Sequence, residues 1–201
     1  MKKLLLTTLV VAGLGLSAQG AFADNPPAQH GTITINGKIV DVTCTINGGA
    51  PNISFDLPTI SKTAFTGQGD TKGDTPFEIK LTGCSKTGNG AFASDEKIYA
   101  AFTNDPQKVD ATGRLINKAS GTAATGVTVE IANNASDNTN RIDISAAQAT
   151  GQGSKAVAID GTSPNGTATL QYKARYYADK DPAQITTGDV QAKVDYLISY
   201  Q

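Results

Sequence analysis

Tryptophan is absent from this 201-residue chain, histidine and methionine occur once each, and there are only two cysteines. One imidazole and two thiols leave little material for a multi-ligand zinc site, an iron–sulfur cluster or a haem-attachment motif. A surplus of one charge is missing too, with 17 Lys and Arg against 18 Asp and Glu. A nucleic-acid binder, which needs a basic face, is not expected on that balance. The glycine-rich stretches Gly67-Gln68-Gly69 and Gly151-Gln152-Gly153-Ser154-Lys155 have the wrong spacing for a phosphate cradle and read as flexible surface loops. The single imidazole, His30, lies in the leader Pro26-Pro27-Ala28-Gln29, outside any rigid element, so no Ser-His-Asp or Cys-His nucleophile can be assembled. Asp179 and Asp181 flank Lys180 and precede Pro182, the composition of a solvated turn rather than of a hydrolytic pair. The expectation is a protein with no catalytic residue, no metal and no cofactor.

Long apolar runs are scarce as well; there is one, Leu4 to Leu16, behind the positive start Met1-Lys2-Lys3. It is shorter than the ~20 residues that span a bilayer. It ends near the small–x–small triplet Ala21-Phe22-Ala23, so residues 1–23 read as a secretory signal peptide. Export takes Cys44 and Cys84 into an oxidising compartment, where one disulfide between them is expected. Nothing resembles the Cys-x-x-Cys arrangement of a redox pair.

What is present in quantity is short alternation. Apolar side chains keep one parity in Ile53, Phe55, Leu57, in Phe77, Ile79, Leu81, in Ile98, Ala100, Phe102 and in Val127, Val129, Ile131. Each set predicts a strand with one buried face. Ile142 with Ile144 suggests a short strand, Leu170 to Tyr176 a longer one, and Val190 to Tyr200 the longest. Arg175 falls on the parity opposite Tyr172, Ala174 and Tyr176, hence on an outward or inter-subunit face, where it serves either a surface salt bridge or a contact between subunits. Asn47-Gly48, Asn89-Gly90 and Asn165-Gly166 supply turn chemistry. Ser145 to Gly151 leaves room for a helical turn. Many short strands with spaced turns predict a single all-β sandwich.

The two ends carry more information. Gly31, Ile33, Ile35, Gly37 and Ile39 share one phase, after which Val40, Val42, Cys44 and Ile46 take the other. One continuous strand cannot bury both sets against one sheet. Either a β-bulge near Lys38 to Val40 changes the parity, or residues 31–39 belong to a different partner. At the other end Val190, Ala192, Val194, Tyr196, Ile198 and Tyr200 alternate without a break up to Gln201. An apolar strand of that length is an aggregation-prone edge unless an internal strand or another chain pairs with it.

With these features in order, the sequence resembles the major subunits of chaperone–usher fimbriae of the type 1 pilus kind. The resemblance is carried by Gly31-Thr32-Ile33-Thr34-Ile35-Asn36-Gly37-Lys38-Ile39-Val40, by the Cys44 to Cys84 spacing and by Phe77-Glu78-Ile79-Lys80-Leu81-Thr82-Gly83-Cys84. It continues in Tyr172-Lys173-Ala174-Arg175-Tyr176-Tyr177-Ala178, in Gly188 and in the tail with its penultimate Tyr200. It implies an incomplete immunoglobulin-like β-sandwich lacking the seventh strand, completed by a donor strand from a neighbouring subunit. Residues 24–39 would be the donor-strand extension and 40–201 the pilin domain. The donor residues would be Gly31, Ile33, Ile35, Gly37 and Ile39. The groove, filled first by a chaperone and then by a donor, would run along Val190, Ala192, Val194, Tyr196, Ile198, Tyr200 and Gln201. The implied partners are identical subunits, a periplasmic pilus chaperone, an outer-membrane usher and tip or adaptor subunits. The implied destination, by way of the periplasm, is a fimbria on the cell surface, where the subunit forms the shaft and supports adhesion.

Overall fold

The computed structural model describes residues 33–34, 37–137 and 139–201. The signal segment 1–23, His30, and Gly31 and Ile35 of the expected donor segment lie outside them. The chain divides into two units, Met1–Lys38 and Ile39–Gln201. In the first, Ile33, Thr34, Gly37 and Lys38 are exposed and outside any regular element. The second is built from seven strands and short 3₁₀ turns.

The strands are β1 (Thr43–Ile46), β2 (Thr71–Ser85), β3 (Lys97–Phe102), β4 (Val127–Asn133), β5 (Val157–Ala158), β6 (Gly166–Ala178) and β7 (Tyr196–Tyr200). They form a four-stranded sheet in the order β1-β2-β6-β4 and a three-stranded sheet in the order β5-β3-β7, with every pairing antiparallel. Side chains alternate between the faces of a strand, and the inward sets meet in one core. Ile79 and Leu81 of β2, Ile98 and Ala100 of β3, Val129 and Ile131 of β4, and Leu170, Tyr172 and Ala174 of β6 are all buried in it. Phe102 meets Tyr172 edge to face at 5.5 Å between ring centres, a favourable arrangement for two ring quadrupoles.

The expected disulfide is formed between Cys44 and Cys84. The strands expected around Phe77, Ile98, Val127 and Leu170 are all present. Elsewhere the structure corrects the sequence reading. Residues around Ile53, Phe55 and Leu57 form no strand; Ile53 and Leu57 still pack on the core, and Phe55 stacks on Phe77 at 5.0 Å. Alternation therefore marks an extended segment with an inner face, whether or not a neighbouring backbone pairs with it. Ile142 and Ile144 are fully buried but also lie outside any strand, beside a single bridge between Ala132 and Arg141. The strand expected over Val190 to Tyr200 shortens to β7, and β2 is the longest strand. No strand covers residues 38–40, so the parity change there is not a bulge within a ladder. The register shift near this end lies between Thr43 and Thr45.

Two local expectations also change. Asn47 and Asn89 do adopt positive φ, but neither Asn165 nor Gly166 does. The helical turn is a 3₁₀ turn, Ala149–Gln152, and the expected surface loop is anchored in the interior by one side chain. Gln152 is buried, its Oε1 accepting from the Phe102 N–H at 2.9 Å and its Nε2 donating to the Phe102 carbonyl at 2.6 Å. One side-chain amide thus satisfies both backbone groups at the end of β3, as a neighbouring strand would.

Candidate functional site: an unpaired rim and its groove

β7 is an edge of the three-stranded sheet, pairing with β3 from Ile98 opposite Tyr200 to Phe102 opposite Tyr196. Its other rim has no strand partner among the described residues. The extended path begins earlier, at Gly188. A Cβ there would lie 2.4 Å from the Thr122 carbonyl oxygen and 2.6 Å from the Ala124 nitrogen, and φ is +155°, so only glycine lets the two backbones pass this closely. Asp189 then exchanges bonds with the facing segment, donating to Thr122 O at 2.8 Å and accepting from Ala124 N at 3.0 Å. Asp195 O accepts from Thr103 N at 2.8 Å, and the Gln201 N–H donates to Lys97 O at 2.8 Å.

Along this path Val190, Ala192, Val194, Tyr196, Ile198 and Tyr200 are all half-buried, while Gln191, Lys193, Asp195 and Leu197 are exposed. The half-buried set packs against the core from its open side. The six apolar residues expected to line a groove are therefore brought onto one face, and Gln201 is exposed at its end. The opposite wall comes from the N-terminal part of the domain. Val42 is buried, and Cys44, Ile46, Ile53 and Leu57 pack on the same core. Two tyrosines reach from β7 to that wall. The Tyr196 hydroxyl donates to the Pro51 carbonyl at 2.6 Å, and the Tyr200 hydroxyl is hydrogen-bonded by the Cys44 backbone. Burial pushes both phenols above their ordinary range, because a phenolate loses hydration there.

At the Val190 end the groove widens into a cavity of about 440 Å³, lined among others by Ile60, Phe65, Val127, Tyr176, Ile185 and Val190. Most of these belong to a second, smaller apolar cluster. The lining also includes Lys62, Thr186, Thr187 and Asp189, and its apolar part suits an aliphatic side chain presented by an extended backbone. Of the expected donor residues, Ile33 is 88% and Ile39 100% exposed, and Gly37 is exposed.

Other candidate chemistry resolves into structure. Among the described residues no cluster of His, Cys, Asp or Glu has the makings of a metal site. Arg175 does point outward from β6, as expected, and bridges two carboxylates: Asp74, about half exposed, at 3.8 Å, and Glu130 of β4, which is only 3% exposed. Asp179 is not fully solvated either. Its Oδ1 accepts from the Thr128 hydroxyl at 3.1 Å, and burial raises its pKa. Sequence reasoning missed Asn117, whose amide bonds the backbone at both Ala124 and Asp189. It lies in a stretch without periodicity, so no pattern marks it.

An antiparallel two-sheet sandwich whose last strand leaves an apolar groove at an unpaired rim is the incomplete immunoglobulin-like fold of chaperone–usher pilus subunits. Solved structures agree. A subunit chain of a chaperone–usher pilus superposes with a TM-score of 0.52 at 21% identity, covering 89% of this chain and all of that one. The P pilus rod subunit PapA superposes with a TM-score of 0.50 at 22% identity, covering 79% and 99%. The fimbrial protein family model matches residues 33–201. The major fimbrial subunit SMF-1 of Stenotrophomonas maltophilia is 40% identical over 86% of this chain and 94% of its own. The F17 fimbrial protein of Escherichia coli is 34% identical over 87% and 89%, and long polar fimbria protein A of Salmonella typhimurium 32% over 100% and 98%. The chain belongs to the fimbrial protein family, as a structural, non-enzymatic subunit of a pilus displayed at the cell surface.

Proposed function

We propose that this subunit polymerises by donor-strand exchange: residues 24–39 of one copy enter the groove along Val190 to Tyr200 of the next, and residues 40–201 form the accepting domain. The observation that carries the reading is the pairing of an apolar, half-buried groove at an unpaired rim with exposed isoleucines, Ile33 and Ile39, at the other end of the same chain. Insertion would add a ladder of backbone bonds and seat alternate side chains, as β-augmentation does. Burying Ile33, Ile35 and Ile39 contributes on the order of 5–9 kcal/mol before ordering entropy is charged, which drives assembly without nucleotide. Gly37 would then sit over a pocket too shallow to accept a side chain. Before exchange a periplasmic chaperone holds the groove, with the carboxylate of Gln201 anchored by a basic site. An outer-membrane usher then passes the subunit to the surface, into a shaft that carries tip or adaptor subunits and supports adhesion.

The test is a chain truncated before Val40, refolded with its disulfide, whose melting temperature is compared with and without a peptide spanning Asp24 to Val40. The expected result is a large rise that is lost when the peptide carries Gly37→Asn. A truncated chain that is already stable and indifferent to the peptide would refute strand acceptance. In the full chain, Gly37→Asn is expected to block polymerisation and leave chaperone binding intact.

A further inference from the structure

We propose that Asn117 is a positioning residue that braces the wide end of the groove before a strand arrives; this rests on the strand-accepting reading above. Its carboxamide uses every hydrogen-bonding valence it has. Nδ2 donates to the carbonyls of Ala124 at 2.8 Å and Asp189 at 2.9 Å, and Oδ1 accepts the N–H groups of Ala119 at 3.0 Å and Gln191 at 2.9 Å. Both contacts of the nitrogen are acceptors and both contacts of the oxygen are donors, so the opposite orientation of the amide would set like against like at all four points.

The geometry explains what the brace does. Ala124, Asp189 and Val190 all line the cavity, so Asn117 ties two of its walls together from behind. Residues 189–191 precede β7 and lie in no strand. Their backbone is held by the bonds of Asp189 to Thr122 and Ala124, by Lys118 N–H to Gln191 O at 2.7 Å, and by this side chain. Asn117 does at that end what a neighbouring strand does at β7. Without it the Gln191 N–H loses its partner, and Val190 is freed to fall into the cavity that an incoming side chain must enter. No other amino acid fits the role: Asp lacks the two donors, Ala lacks both functions, and Gln is one methylene too long for this spacing.

The experiment uses the full chain at a concentration that keeps it monomeric, as wild type, Asn117→Ala and Asn117→Asp. Two readouts are taken, backbone amide exchange in the free chain and the association rate of a fluorescent peptide spanning Asp24 to Val40. In Asn117→Ala, exchange is expected to rise at Asp189 and Gln191 and stay unchanged over Leu197 to Tyr200, with association slowed about tenfold by the loss of the bracing bonds. Asn117→Asp keeps the oxygen that accepts from the Ala119 and Gln191 N–H groups but turns a second, anionic oxygen on the two carbonyls, and is expected to be slowed as well. Association equal to wild type in both variants overturns the proposal, and so does slowing accompanied by an equal rise in exchange along Leu197 to Tyr200, the mark of general loosening. If wild type itself takes up no peptide, the strand-accepting reading fails. The role of Asn117 in assembly falls with it, whatever the exchange data show.

Discussion

Glu130 and Arg175 stand directly opposite each other in the β4–β6 ladder, and the arginine grips one carboxylate oxygen with both Nε, at 3.0 Å, and Nη2, at 2.5 Å. The other oxygen accepts from Arg114 Nε at 3.0 Å, and Arg141 approaches to 3.9 Å. Arg114 also lies over the Tyr177 ring, 3.5 Å from its centre. One nearly buried carboxylate is thus the common counter-ion of three guanidiniums on the outer face of the larger sheet.

Removing that counter-ion is expected to cost more than removing any one of its partners. Glu130→Ala leaves Arg114 and Arg175, both mostly buried, without their buried counter-ion, Asp74 alone staying 3.8 Å from Arg175, and breaking a buried pair from one side costs about 3–5 kcal/mol. Arg175→Ala leaves Glu130 still bound to Arg114 and is expected to cost less. Urea unfolding of the two variants checks the order; equal midpoints would mean that the carboxylate is not the hub.

Gly188→Ala tests the close crossing at the start of the groove. The atoms in the way are backbone, the Thr122 oxygen at 2.4 Å and the Ala124 nitrogen at 2.6 Å, so neither can swing aside as a side chain would. Overpacking of this kind costs about 1–3 kcal/mol. The expected outcome is a lower melting temperature together with loss of peptide uptake, because the displaced residues 188–190 form part of the cavity wall.

The response to acid separates two kinds of carboxylate. Asp41, Glu96, Asp137 and Asp143 are held below their ordinary pKa, chiefly by hydrogen bonds from the Thr87 N–H, Lys86, Lys155 and Ser145 respectively. Their contribution to stability is present above the unfolded-state value and is lost as pH falls below it. Asp179 runs the other way. Burial raises its pKa above the ordinary 3.8, with Asp110 adding to the shift. The folded state therefore takes up its proton first, and its penalty at neutral pH is relieved as pH falls from neutral through the raised value. Asp179→Asn, which keeps an oxygen for the Thr128 hydroxyl, is expected to raise the melting temperature at pH 7 and to lose this advantage near pH 4. A lower melting temperature at pH 7 would show that the charge is compensated.

Side-chain alternation made much of this architecture legible. The inner faces of β2, β3, β4 and β6 and the line from Val190 to Tyr200 are where parity places them. Parity reports which way a side chain faces and is silent on whether the backbone has a partner, which is why Ile53 to Leu57 and Val190 to Asp195 read as strands and are not. It also predicts one buried face per strand, whereas all seven residues of β4 are buried. The outer face of β4 carries Glu130, and the arginines that cover it come from segments distant in sequence. Asn117 and Gln152 were invisible for the same reason: each replaces a strand's hydrogen bonds from within a loop, and a single amide leaves no periodic trace.

The Cys44–Cys84 bond also determines how the molecule bears tension. A pull on the residues before Val40 reaches Cys44 within a few residues and passes there through a covalent link into β2, which is paired with β6 over most of its length. Residues 45–83 are enclosed in the bridged loop and lie off the covalent path from the N-terminal segment to the C-terminus. However hard the N-terminal segment is drawn, β1 and the turns that follow it cannot pay out as slack, and the force arrives as shear on the longest pairing in the domain.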